Sequence, residues 1–421
     1  MKKFFISMIA ITALTITGCN SDLTNGGNTG GNLLQGVLTE DKTLTNDRIW
    51  ELSGRVTVEA GVTLTIEPGT IIKANEGQGA DVSVLIIARN ATILANGNAE
   101  EPIIFTSSTD NIEFGQTAGT NLDQNARGLW GGIFILGNAP GSFEGDAVSL
   151  QMQGIPADDP NGLYGGNNIA DNSGILNYVS IRHAGSILGE GNEINGLTLG
   201  CVGNGTLISN VEVVGSLDDG IKFSGGSVRT SNLIVWAAGD DAIDIEKGYS
   251  GPIFNLVVIL GDTSDNAIQV DGPEGSLQSS FAISSASLYG NTNTPDGDYA
   301  VYRSNAQGST NNIYATGFKA DSHVILADNS VSQNYLVSKV KFRNWVVDLP
   351  AGVTSANTIF VEKVGCAQNC DDEDPSNDVP ESRITTFTQD AQAWASAGVS
   401  EGAILSDFSW TYANNKAGLG F

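Results

Sequence analysis

Asp219-Gly220-Ile221-Lys222-Phe223, Asp241-Ala242-Ile243-Asp244-Ile245 and Asn266-Ala267-Ile268-Gln269-Val270 write one phrase three times: a turn former, a small residue, then an apolar-polar-apolar alternation. Asn195-Gly196-Leu197-Thr198-Leu199 precedes them in the same form, and the four starts lie 24, 22 and 25 residues apart. Alternation with period two is a strand signal. A second phrase runs out of phase with the first: Asn177-Tyr178-Val179, Asn210-Val211-Glu212-Val213, Asn232-Leu233-Ile234-Val235 and Asn255-Leu256-Val257-Val258. Each period therefore carries at least two strands. A repeat of this length with strands and no helix is one coil of an all-β, right-handed parallel β-helix, with Ile221, Ile243 and Ile268 stacked inside. The small residues at 196, 220, 242, 267 and 300 mark where each coil turns into the core. The Asn column is expected to be an amide ladder or a set of turn residues.

Outward from this stretch the frame continues less cleanly at Tyr299-Ala300-Val301-Tyr302-Arg303 and Ser322-His323-Val324-Ile325-Leu326. Regular coils are expected over 175–345. Residues 36–109 hold strand-sized pieces such as Gly61-Val62-Thr63-Leu64-Thr65-Ile66 and Pro102-Ile103-Ile104-Phe105-Thr106, cut by Gly or Pro, and read as the first coils. Residues 110–174 are richer in Gly, Asn and Asp and read as loop insertions around one strand at 128–135. Residues 346–421 read as an acidic loop and a C-terminal cap, with a short helix at 390–395 and a last aromatic strand at 408–412.

The chain has 421 residues and a formal charge of −27, which excludes a nucleic-acid partner because clustered cations are missing. Lys2 and Lys3 precede an apolar run from Phe4 to Ile16 that ends at Cys19. This is the pattern of a lipoprotein signal peptide, residues 1–18, with Cys19 as the lipidation site. A diacylglyceryl and palmitate anchor would bury CH₂ groups worth about 0.8 kcal/mol each. Asn20 after the cysteine points to the outer membrane, on a periplasmic or cell-surface face, and 19–35 reads as a flexible tether. Cys366 and Cys370 are expected to form a local disulfide in an oxidising envelope. Cys201, within an apolar strand, is expected to be a buried, inert thiol.

Gly61-Val62-Thr63-Leu64-Thr65-Ile66-Glu67-Pro68-Gly69-Thr70, Trp130-Gly131-Gly132-Ile133-Phe134-Ile135, Tyr164-Gly165-Gly166-Asn167 and Asn192-Glu193-Ile194-Asn195-Gly196 add a family signal to the repeat. From about residue 36 onward the chain resembles a family of β-helical lipoproteins and secreted proteins of Gram-negative bacteria. That resemblance implies the solenoid and carries no substrate. More distantly the coil pattern is similar to pectin- and alginate-degrading β-helix enzymes, an analogy of fold.

Asp218-Asp219, Asp240-Asp241 and Asp265-Asn266 fall on successive coils, about 4.8 Å apart, so they form an acidic ladder on one edge. Three readings stand open. The aspartates hold backbone N–H groups at the coil corner. Alternatively Asp218, Asp219, Asp240, Asp241 and Asp244 bind Ca²⁺, a hard cation that wants several oxygens. In the third, Asp219, Asp240, Asp241 and Lys222 are the catalytic set of a polysaccharide lyase or polygalacturonase-like hydrolase. Against the third, the Gly-His-Gly and Arg-Ile-Lys tripeptides of polygalacturonases do not occur. His183 could reach the same edge as a surface side chain. Asp371, Asp372 and Asp374 form a second acidic cluster with Ca²⁺-ligand chemistry. The expected role is non-catalytic: an envelope scaffold binding a glycan, such as a polysaccharide, or an outer-membrane protein partner, with a carbohydrate-active enzyme as the alternative.

Overall fold

The phrase that begins at each turn former closes onto its neighbours as parallel strands. The computed structural model describes residues 31–189, 192–294, 297–362, 366–368, 379–380 and 386–421. Cys19, Cys370 and the cluster Asp371, Asp372 and Asp374 lie outside them, and Cys366 is described only as backbone of a short strand, Cys366–Gln368. No helix among the described residues is long and apolar enough to cross a membrane.

Residues from Leu33 to Phe421 form a right-handed parallel β-helix with three sheets along its sides. The first sheet stacks Val84–Ile87, Gly132–Leu136, Leu197–Gly200, Ile221–Ser224, Ile243–Glu246, Ile268–Asp271 and Ala300–Arg303, all parallel and in register. The second and third are two halves of the same long strands, including Gly174–Arg182, Leu207–Val214, Arg229–Trp236 and Pro252–Ile259. Each long strand bends at one residue with left-handed backbone: φ is 51° at Asn210, 55° at Asn232 and 59° at Asn255. Asn tolerates that region better than other residues with a Cβ. Its amide then bonds along the axis: Asn255 Nδ2 donates to Asn232 Oδ1 (2.8 Å), Asn232 to Asn210 (2.9 Å), Asn210 to Asn177 (2.8 Å) and Asn177 to Asn96 (2.9 Å).

The expected amide ladder is therefore present, but its first member is displaced by one position. Asn177 pairs with Ser209, and Tyr178 takes the left-handed corner with φ 51°. The small column is explained by close approach: a Cβ on Gly220 would stand 2.3 Å from Val235 Cγ1 and 2.7 Å from the Ala242 carbonyl oxygen. Inside, the Ile221, Ile243 and Ile268 column and the Phe223, Ile245 and Val270 column are essentially solvent-free.

The C-terminal end departs from expectation. Helices Asn329–Leu336 and Thr386–Asp390 cover the last coils, where Phe342, Phe360, Phe387 and Trp394 pack ring on ring. Residues 408–412 are no strand over the end coil. Past Ala395–Ala397 the chain doubles back along the side of the solenoid as a strap, with a helix at Tyr412–Ala417. Ala403, Phe408, Tyr412 and Ala413 join Val214, Ile234, Trp236 and Val257 of the third sheet in one apolar cluster. The aromatic residues Phe408 and Tyr412 supply a docking face and not a strand.

Candidate functional site

The outward row of the first sheet reads Phe134, Thr198, Lys222, Asp244 and Gln269 across five adjacent strands. A loop that leaves the sheet after Leu136 returns over it, and its hairpin, Leu150–Gln151 with Leu163–Tyr164, walls a cleft of about 480 Å³. Thr198, Lys222, Ser224 and Glu246 form the floor, Asp218 and Asp240 one rim, and Met152, Gln153 and Tyr164 the wall opposite. Roofing by a loop turns an outward strand face into a partly dry site.

Lys222 sits at the centre of an ion cluster. Its Nζ bonds to Asp244, and stands 3.5 Å from Asp219 Oδ2 and 3.8 Å from Glu246 Oε2. Lys247 Nζ adds a contact to Glu246 at 2.9 Å and to Glu274 at 3.3 Å. Burial works against the Lys222 charge, but Asp244, Glu246 and Asp219 overcome it and hold its pKa above the ordinary lysine value. Burial likewise opposes the Lys247 charge, and Glu246 outweighs it, pushing that pKa up to about 12. Asp244 is raised by burial despite Lys222, whereas at Glu246 the two lysines outweigh burial and lower the pKa. Both lysines stay charged over the physiological range.

The corner aspartates divide into two kinds. Asp219 Oδ1 accepts from the Asp241 N–H (3.2 Å), and Asp241 Oδ1 accepts from the Asn266 N–H (3.0 Å) and Nδ2 (2.8 Å). Asp298 does the same for the His323 N–H (2.6 Å). This part of the ladder is coil-corner structure. Asn195, with its amide turned to satisfy both ends, donates to Asp219 (3.0 Å) and Asp218 (2.8 Å) and accepts from Thr198. The remaining oxygens crowd together: Asp218, Asp219 and Asp240 bring one oxygen each within 4.8 Å of the others, and so do Asp240, Asp241 and Asp265. Asp241 Oδ2 is buried without a hydrogen-bond partner. Burial, then like charge from Asp244 at Asp219 and from Asp240 at Asp241, raises both carboxyls well above the ordinary aspartate value.

Of the residues singled out in the sequence, the structure thus brings Asp218, Asp219, Asp240, Asp241 and Asp265 together and commits Asp244 to Lys222. His183 does not join them. It is buried where the third sheet ends and the aspartate corner begins, level with Gly215 and away from the cleft lining, with Nδ1 2.9 Å from the Ala126 carbonyl oxygen, and burial lowers its pKa. Cys201 is buried and free, its thiol pushed up to about 12 by burial. Sequence reasoning missed Tyr164, Met152 and Gln153 as wall, because nothing local marks a loop as folding back over a sheet.

A family model described as a pectate-lyase like beta helix domain matches residues 36–398. No curated protein and no solved structure matches the chain.

Proposed function

The chain belongs to the pectate-lyase-like β-helix family, and from that premise we propose that it is a non-catalytic binding protein of the cell envelope that holds a carbohydrate in the cleft over Lys222. The observation that carries this reading is the grip of Asp244, Asp219 and Glu246 on Lys222. A lyase base must accept a proton, and an ammonium held by three carboxylates does not offer a free pair. Glycoside hydrolysis sets its two acids on opposite sides of the bound sugar, about 5–5.5 or 6.5–9.5 Å apart. Here Asp218 and Asp240, the corner acids that line the cleft, share one rim. Fixed charges, hydroxyls of Thr198 and Ser224, and the Tyr164 ring suit a polyhydroxylated ligand.

Titration calorimetry of the full chain against neutral and acidic oligosaccharides, with Lys222→Met alongside, tests this. Binding that the variant loses, with neither new reducing ends nor unsaturated uronate absorbance, is the expected result. Product formation abolished by Asp240→Asn would replace it with the enzyme reading.

Ca²⁺ is proposed at the same corner, with Asp218, Asp219, Asp240, Asp241 and Asp265 as the oxygen donors. Asp241 Oδ2, buried and unpartnered beside Asp240 and Asp265, supports it, because a divalent cation would relieve the repulsion that raises these carboxyls. A Ca²⁺-dependent rise in the unfolding midpoint, absent in Asp240→Ala and Asp241→Ala, is expected; identical midpoints with and without Ca²⁺ would remove the metal. Attachment to the outer membrane through lipid on Cys19 completes the proposal. Palmitate labelling that survives Cys19→Ser would refute it.

A further inference from the structure

Beside the polar cleft, on the same outward face, lies a second cavity of about 350 Å³ with opposite chemistry. Apart from Arg55 its lining is without polar side chains and includes Val82, Val84, Ile86, Phe134, Ile155 and Ile194. Phe134 belongs to both cavities, and the hairpin connection divides them: Met152 and Gln153 face the polar cleft, Gly154, Ile155 and Pro156 the apolar one. The outward row steps from Ile86 to Phe134, to Thr198, to Lys222. Adjacent rungs are about 4.8 Å apart, so one small ligand spans the change from apolar to charged floor. Outward positions of a solenoid face water by default, and three apolar residues there, Val84, Ile86 and Phe134, need a cover. The cover is the hairpin connection, whose Asp159 is tied to Arg55 at 3.2 Å and whose backbone is braced by Gln151 Nε2 donating to Pro156 (2.7 Å) and Asp159 (3.0 Å) carbonyls. It leaves a pocket where tight packing on the sheet would leave none.

We propose that the ligand of the cleft is a glycan carrying an apolar substituent, an acyl or aryl group, with the sugar over Thr198 and Lys222 and the substituent between Val84, Ile86, Phe134 and Ile155. This rests on the carbohydrate-binding reading of the cleft and names the class of glycan. Polar saccharides without the substituent fill the cleft and leave the adjoining apolar cavity empty, and burial of each added CH₂ strengthens binding.

Matched methyl and n-octyl glycosides of glucose, galactose and N-acetylglucosamine, used below micelle-forming concentration, are the probes, with calorimetric affinity as the readout. For at least one sugar the octyl glycoside binds the full chain at least tenfold more tightly than the methyl glycoside. Ile155→Ser, on a connection outside the coils, erases that preference and leaves methyl glycoside affinity unchanged. Lys222→Met weakens both glycosides. Methyl glycoside binding with no octyl preference overturns this inference and leaves the cleft as a saccharide site. So does an octyl preference that persists in both Ile155→Ser and Phe134→Ser. Failure of every glycoside to bind removes the carbohydrate reading itself, and this one with it.

Discussion

Over the same six coils where the first sheet presents Thr198, Lys222, Asp244, Gln269, Val301 and Ile325, the second presents Leu207, Arg229, Pro252, Ala282, Ser309 and Lys341. Beside them stand Ser209, Ser231, Phe254, Ser284, Asn311 and Arg343. One face concentrates carboxylates around a lysine; the other shows three cations and no carboxylate, in a chain of formal charge −27. Leu207 is 51% and Phe254 44% exposed, whereas Thr198 and Asp244 are 2% and 3% exposed. Backbone spacing is common to both sheets, so it does not account for the contrast. The loop folded over the first sheet does, because it excludes water from outward side chains, and only there do neighbouring charges have to answer one another. An acidic ladder in open solvent would be a solvated edge.

The contrast is broken most severely by removing its centre. Lys222→Met leaves Asp244 and Asp219 buried without their cation and should cost about 3–5 kcal/mol at pH 7. Chemical denaturation measures it, and the loss should shrink near pH 4, where the carboxyls take up protons. A loss as small as that of Arg229→Met would mean the roof keeps nothing dry. Next in size is the corner that joins the second sheet to the third. Asn232→Ala loses amide bonds to Asn210 and Asn255 and strains a residue at φ 55°, for about 2–3 kcal/mol. Asn232→Gly keeps the backbone and loses the ladder alone, so its midpoint should fall between Ala and the parent.

Smaller still is a pH effect on the first sheet. Asp219 and Asp241 have folded-state pKa values raised above the reference 3.8. The folded state therefore holds their protons more tightly. That stability is fully present below pH 3.8 and is lost as the pH rises through the raised values. Asp241→Asn should flatten the decline of the unfolding midpoint between pH 4 and neutrality, and a parent midpoint that rises over the same interval would contradict the burial of these acids. Least affected is the bare face: Phe254→Ser and Arg229→Met should each stay within about 0.5 kcal/mol of the parent.

How much of this was legible follows from what repeats. Ile221, Ile243 and Ile268 share a face because a period-two alternation recurs coil after coil, and stacking admits no other register. The corner aspartates were legible as a ladder for the same reason, with bonding to backbone N–H groups at the corner one of three readings left open. Tyr178 was not, because its coil substitutes the corner Asn and sets an Asn one position earlier. Nothing around Met152 or Tyr164 states that their loop crosses the first sheet, and nothing near Tyr412 points to Trp236. Such contacts join segments with no shared period, and only the folded chain brings them together.

The amide ladder runs one way. From Asn255 to Asn96 every rung donates toward the N-terminus, so each coil is completed by finding an acceptor that an earlier coil has already set in place. A chain emerging N-terminus first can thus add coils in the order they are made. The strap runs back along the solenoid, and these donors too point toward earlier residues: the Ile404 N–H donates to Asn255 Oδ1, the Ala413 N–H to Glu212 Oε1, and the Tyr412 hydroxyl to the Leu122 carbonyl. A later segment thus seals coils laid down well before it. A truncated chain would keep its coils and expose Trp236 and Ile234, marking itself as unfinished to any protease that reads exposed apolar surface.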